Sequence, residues 1–293
     1  MAHVPDKFAV CPGTPPGFKV VTVGSGSPGQ DLRKLAPCTL VQYKDAYFAC
    51  DLGNGVTNKM LEIGIDPTKV RNVCFTHLHA DHSADYPYFL IIGWHDGRNE
   101  INLFGPPKTQ RFHDIVVDEL YGDYVSYLNM LGLNLDGLKT NVNVREIEDV
   151  DRFEKDGVAI STLHVPHTAY TIAYKFEAGG QRVVVSGDMT MFEPFVEFAR
   201  DADILVMDAN QTPAWHLESM GASFAKNLEK SHIRIPELAD VAQRSGAKKL
   251  VLTHLTRGTY VGELVRQVAA TYTGEIVVAF DGLEIFPGIN TGY

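Results

Sequence analysis

Residues 76–82 read Thr-His-Leu-His-Ala-Asp-His, which places His77, His79, Asp81 and His82 within six positions. Imidazole nitrogens and carboxylate oxygens suit zinc and similar divalent metals. A structural zinc finger would need thiolates at paired spacing. The four cysteines, Cys11, Cys38, Cys50 and Cys74, form no Cys-x-x-Cys pair. The cluster follows Val70-Arg-Asn-Val-Cys-Phe-Thr76, an apolar, β-branched run that reads as a buried strand. Four ligand-type side chains thus stand where a strand ends and the chain turns.

A catalytic dinuclear centre needs about seven ligands, one of them shared, and a free position for water. The remainder are expected at later strand ends. Arg182-Val-Val-Val-Ser-Gly-Asp188, Asp203-Ile-Leu-Val-Met-Asp208, Lys249-Leu-Val-Leu-Thr-His254 and Glu275-Ile-Val-Val-Ala-Phe-Asp281 are short, rich in Val and Ile, and each ends on a polar residue. Polar groups on loops above a rigid sheet are a common way to build an active site. Leu163-His-Val-Pro-His-Thr168 offers His164 or His167. His164 would sit within a strand, whereas His167 follows Pro166 at a turn and is the better ligand.

Helices are predicted over 108–120, from Pro236 to a stop at Gly246, and over 262–272. Strands lead and helices follow in each portion. This suggests two halves packed sheet on sheet with helices outside, preceded by an irregular Pro/Gly-rich arm at 1–17. Gly24-Ser-Gly-Ser-Pro-Gly29 satisfies a dinucleotide-binding pattern, but Pro28 interrupts where a helix must open, so a tight turn is expected instead.

With 293 residues, 45% of them hydrophobic, the chain can bury a large core. A formal charge of −10 argues against a non-specific nucleic-acid surface, which needs a basic face. No apolar run is long enough to span a bilayer, and no signal-peptide hydrophobic region opens the chain. The unpaired cysteines favour a reducing, cytoplasmic setting. Trp94, Trp215, Tyr86, Tyr88, Phe89 and Tyr170 lie near the ligand loops in sequence. Any that face the metals imply an aromatic or apolar substrate.

Taken in order, these motifs resemble the metallo-β-lactamase superfamily, in the branch around ribonuclease Z and its arylsulfatase-like relatives. The resemblance runs from about residue 18 to 287. It rests on Val23-Gly-Ser-Gly-Ser-Pro28, Phe48-Ala-Cys-Asp-Leu-Gly53, the His77–His82 signature, Phe104-Gly-Pro-Pro107, His167, Ser186-Gly-Asp188, Lys249–His254 and Asp281-Gly-Leu-Glu-Ile285. It implies an α/β (α+β) fold, a four-layer αββα sandwich formed by one domain over 18–293. It assigns His77, His79 and His167 to one metal and Asp81, His82 and His254 to the other, with Asp188 bridging. Asp51 and Thr76 match positions that orient ligands. The two ions would be zinc first, manganese or iron second, and a bridging hydroxide would be the nucleophile. Asp81 would orient that nucleophile.

Ser231-His232-Ile233 matches the place of a His-Ser-Thr run in ribonuclease Z, which makes His232 a candidate proton donor. The chain departs from that enzyme in two respects. It lacks a basic, Gly-rich insertion, and it reads Asp208-Ala-Asn-Gln-Thr212 where His-Glu-Ala-Thr is usual. With the acidic charge, this favours a small, aromatic substrate: an ester, sulfate ester, lactone, or activated aryl ether or halide. Neither a nucleic-acid nor a membrane partner is then expected, and a homodimer or higher homo-oligomer is compatible. The alternative within the same site is a phosphodiesterase or ribonuclease Z-like nuclease. An iron-dependent redox protein and a non-catalytic binding relative rank below it.

Overall fold

Runs of Val and Ile become two seven-stranded sheets in the computed structural model, which describes residues 17–29, 31, 33–211, 217–219, 221, 223, 227 and 230–289. The arm expected at 1–17, apart from Gly17, lies outside these residues, as do Cys11 and Trp215. The first sheet is ordered β14 (Leu283–Ile285), β1 (Phe18–Gly24), β2 (Cys38–Tyr43), β3 (Ala46–Cys50), β4 (Asn72–Cys74), β5 (Ile101–Gly105) and β6 (Val142–Glu146). The second is ordered β13 (Glu275–Val278), β12 (Lys249–Thr253), β11 (Ile204–Asp208), β10 (Gln181–Val185), β9 (Thr171–Ala178), β8 (Val158–Val165) and β7 (Arg152–Lys155).

The strands alternate between two cores, which forces the layering. One apolar cluster lies between the sheets and includes Phe48, Tyr174, Phe176, Val206 and Val251. A second covers the outer face of the first sheet with the Tyr86–His95 helix. A third joins the outer face of the second sheet to the Ile235–Ser245 and Val261–Ala269 helices. A sheet apolar on both faces must be covered on both. The result is the αββα sandwich.

The Ile235–Ser245 helix follows its sequence signals. Pro236 sits in the first turn, Leu238, Ala239, Val241 and Ala242 form the buried stripe, and Gly246 ends the helix at φ 70°. The helix expected over 108–120 is instead broken in type, with α-helix at Thr109–Asp114 and a π-helical stretch at Ile115–Leu120.

Most of the described aromatics near the ligand loops in sequence do not gather there; Tyr170, in the turn after His167, is the exception. Tyr86, Phe89 and Trp94 are buried in the outer core of the first sheet, and Tyr88 is exposed. The reason is helical spacing: these residues fall on a helix that packs down on its sheet. Tyr86, Phe89 and Trp94 therefore carry no inference of an aromatic substrate.

Two hydrogen bonds fasten the sheets where β4 ends. Ile172 N–H donates to the Thr76 carbonyl at 2.8 Å, and Tyr174 Oη donates to the Phe75 carbonyl at 2.9 Å. Phe176 packs against Phe48 across the same interlayer, with ring centroids 5.4 Å apart. Phe176→Ala should cost about 3–5 kcal/mol, read as a lower denaturant midpoint at unchanged m-value; a loss under about 1 kcal/mol would mean that the interlayer can collapse around the cavity.

Candidate metal centre

All the candidate groups leave the carboxyl ends of strands on one edge of the sandwich. Asp51 follows β3, His77 to His82 follow β4, His167 follows β8, Asp188 follows β10, Asp208 ends β11 and His254 follows β12. Parallel neighbours β3–β4 and β10–β11–β12 bring these ends side by side, and crevices at such carboxyl ends are where open α/β sheets bind ligands.

The structure brings all seven expected ligand residues together. His77, His79 and His167 form one triad, and Asp81, His82 and His254 form another. Asp188 groups with His77 and His82, and also with Asp208, His232 and His254. His164 is not among them; it lies on β8 and stacks on Tyr170.

Spacing tests whether divalent ions fit. Ligand atoms about 2.0–2.1 Å from one tetrahedral ion stand about 3.3 Å from each other. His82 Nε2 and His254 Nε2 are 3.3 Å apart, and each is 3.3 Å from Asp81 Oδ2. Asp188 Oδ2 is 3.5 Å from His82 Nε2 and 3.4 Å from His254 Nε2. On the other side, His77 Nε2 is 3.0 Å from His79 Nδ1, and His167 Nε2 is 3.9 Å from the same Asp188 oxygen. One carboxylate oxygen thus faces both triads. The donor set and its spacing fit two divalent ions.

Hydrogen bonds fix which ring nitrogen faces inward. His77 Nδ1 lies 3.0 Å from Thr76 Oγ1, His82 Nδ1–H donates to Asp51 Oδ2 at 2.8 Å, and His167 Nδ1–H donates to the Ser231 carbonyl at 2.8 Å. His254 Nδ1 is 3.3 Å from Asp208 Oδ1. Each of these four rings therefore turns Nε2 to the centre, as oriented metal-ligating histidines do. Asp51 itself accepts from Thr76 N–H and Oγ1–H, both at 2.7 Å.

Burial and charge compete at the centre. Burial opposes charge on Asp188, but the imidazoles of His254 and His82 outweigh it and hold the carboxyl well below its usual range. Burial likewise disfavours charged His254, yet Asp188 and Asp208 push it up to about 10. His82 is raised by Asp188 and Asp51 in the same way. Burial lowers His77 and His167, which favours the neutral form that can ligate. The carboxylates thus favour positive charge at this point, which divalent ions would supply.

His232 stands apart from the triads. Its Nδ1–H donates to Asp208 Oδ2 at 2.6 Å, and its ring centroid is 5.4 Å from that of His167 and 5.5 Å from that of His254. Burial works against its charged form, but Asp208 raises it overall. Asp208 therefore orients His254 with one oxygen and His232 with the other. In the sequence Asp208 stands out only as a strand end and as the start of the divergent run Asp208–Thr212. Its place level with Asp188 on neighbouring parallel strands was the available signal. The Ser231 carbonyl under His167 had none, because a backbone acceptor leaves no mark in residue type.

The Gly24–Gly29 turn has a positional role. Asp281 accepts from Ser25 N–H and Oγ–H at 2.9 and 2.7 Å and from Leu35 N–H at 2.7 Å. Gly26 pairs with Leu255, next to His254. The loop holding Arg33 and Lys34 is thereby fastened beside the centre.

Comparison with known proteins agrees with this geometry. A family model described as a β-lactamase superfamily domain matches residues 50–255. Ribonuclease Z from Mycobacterium marinum is 28% identical over 265 residues, covering 88% of this chain and 94% of the relative. Ribonuclease Z from Mycolicibacterium gilvum is 28% identical over 286 residues, covering 93% and 98%. Among solved structures, the metallo-β-lactamase fold protein YhfI from Bacillus subtilis superposes with a TM-score of 0.73 at 19% identity, covering 92% of this chain and 98% of that one. The short form of human tRNase Z gives 0.66 at 17% identity, covering 92% and 100%.

These relatives correct the expectation of a small-molecule substrate and no nucleic-acid partner. Proteins similar along almost the whole chain are named ribonucleases. A formal charge of −10 argues against an even basic face and leaves room for a local one. Net charge is a sum, and a nucleic-acid surface needs only a local basic region. Lys34 and the exposed Lys108 and Arg257 follow or join the loops at the edge that carries the centre.

Gly187 places Asp188. Its φ is +64°, and a Cβ there would lie 2.9 Å from Thr76 Cβ. Gly187→Ala should cost about 1–2 kcal/mol from the left-handed backbone alone, with a further loss from the collision. Thermal unfolding checks this, and an unchanged midpoint would refute it.

Proposed function

The chain belongs to the β-lactamase superfamily, and we propose that it is a dinuclear, metal-dependent phosphodiesterase that cleaves RNA. The observation that carries the hydrolytic centre is the single Asp188 oxygen facing both ligand triads. The ribonuclease relatives support the choice of bond. Fold likeness alone would not choose it.

In this reading His77, His79 and His167 would hold one ion, Asp81, His82 and His254 would hold the other, and Asp188 would be available to both. Zinc suits this nitrogen- and oxygen-rich set. The ions, when bound, supply Lewis acidity to the phosphodiester and a deprotonated nucleophile at neutral pH. Asp51, Thr76, Asp208 and the Ser231 carbonyl keep the ligating rings in register, so little reorganisation is needed when charge develops. Asp81 Oδ2, 12% exposed on its side chain, is the ligand carboxylate most open to orienting the attacking water. Water gives up a proton to solvent and adds to phosphorus as hydroxide, and the P–O bond to the leaving group breaks. His232, whose proton affinity Asp208 raises, transfers its Nε2 proton to the departing alkoxide, giving an alcohol and a phosphomonoester. Lys34, Lys108 and Arg257 provide positive charge for flanking phosphates.

Elemental analysis should find two divalent ions per chain, and His77→Ala and Asp188→Ala should each abolish turnover. A precursor tRNA with a 3′ trailer should be cut in a chelator-sensitive, salt-sensitive manner. Metal-loaded protein that leaves RNA intact but turns over esters or lactones would overturn the substrate class.

His232→Ala should lower kcat on RNA by about 10²–10⁴-fold at unchanged metal content. The loss should shrink on a diester with a p-nitrophenolate leaving group, which needs no proton. An equal loss on both would reassign His232 to positioning.

A further inference from the structure

Tyr170 has no place in the chemistry above, yet it sits in the turn that delivers His167. His164, on β8, lies three residues before His167, and Tyr170 lies three after, just ahead of β9. The two rings stack with centroids 4.0 Å apart and planes at 13°. The phenol oxygen is fixed as well, accepting from Asp149 N–H at 2.8 Å. A tyrosine pinned by its hydroxyl and by one ring face should be covered, but Tyr170 is 36% exposed. The site beside it is built from charge and hydrogen bonds, whereas this ring offers a flat apolar surface held in one orientation.

Holding a large side chain rigid and partly in water gives up conformational entropy without full burial. A rigid exposed ring beside a nucleolytic centre has one evident use. Nucleobases stack on aromatic faces with little regard to sequence, and a face already immobilised loses less entropy on binding. We propose that the His164–Tyr170 pair is a stacking platform for an unpaired nucleobase flanking the scissile phosphate, with Tyr170 making the contact and His164 supporting it from behind. The inference rests on the RNA-cleaving function proposed above. It makes Tyr170 a specificity residue: it favours single-stranded RNA at the cut and leaves the bond-breaking step alone.

The test uses an RNA with one cleavage position and a twin that is abasic on both sides of that position. Wild type, Tyr170→Phe, Tyr170→Leu and His164→Ala are compared for kcat, KM and metal content. On base-bearing RNA, Tyr170→Leu should raise KM by about 10- to 100-fold at unchanged kcat, in line with the loss of one base–aromatic stack. Tyr170→Phe should stay within a few-fold of wild type, and His164→Ala should fall between. On the abasic twin, all four proteins should share the raised KM. Equal losses on both RNAs, a fall in kcat or metal content, or no change on either would overturn the platform.

Binding of uncleaved oligonucleotides to chelated protein, followed by anisotropy, separates this inference from the function it rests on. If wild type cleaves no RNA, the proposed function fails. The platform then stands only if wild type still prefers the base-bearing oligonucleotide and Tyr170→Leu does not.

Discussion

The Asp188 carboxylate, 4% exposed and facing imidazole nitrogens from both sheets, is the constraint on which this edge of the molecule depends. A buried negative charge is costly unless it is paired. Here the sheet that carries Asp188 supplies only part of that pairing. His77 and His82 come from the first sheet, and His167 and His254 from the second. The centre therefore exists only when the two layers are docked, and the bonds from Ile172 and Tyr174 to the end of β4 hold that docking where it matters.

Backbone conformation does the remaining positioning. Asp51 and His254 occupy left-handed φ values of 65° and 58°, which are unfavourable for residues with a Cβ. Such strain persists where surrounding contacts over-determine it and clusters at functional sites. Both residues are buried and bonded on several sides: Asp51 to Thr76 and His82, His254 to Asp81, Asp188 and Asp208. The strain re-aims each strand end so that its side chain enters the centre and does not continue the pleat.

Asp208 connects binding to chemistry. One oxygen orients a ring in the ligand set, and the other raises the proton affinity of a histidine outside it. A change in the charge borne by the centre would thus be felt by His232 through a single carboxylate. The Asp281 clamp plays a comparable mechanical part, fixing a loop with Arg33 and Lys34 beside a centre whose own walls are acidic.

The chemistry was legible in the sequence because ligand type and strand-end position are local properties. His77 to His82 occupy adjacent positions, and a Val-rich run before a polar residue marks a strand end wherever it occurs. Pro166 was enough to separate a turn histidine from a strand histidine. The layering was legible for the same reason, since apolar strands and amphipathic helices state which faces need cover. What only the tertiary structure decided was which distant groups share an atom's surroundings. Asp208 bonding two histidines, a Ser231 carbonyl beneath His167 and Tyr170 lying flat on His164 all join residues through folding or through the backbone, where residue type carries no signal. The substrate lay further out of reach. Net charge and the aromatic count are sums over the whole chain, and recognition depends on where the charges and rings point. Tyr86, Phe89 and Trp94 turned into the core, while Lys34, Lys108 and Arg257 lie on loops at the edge that carries the centre.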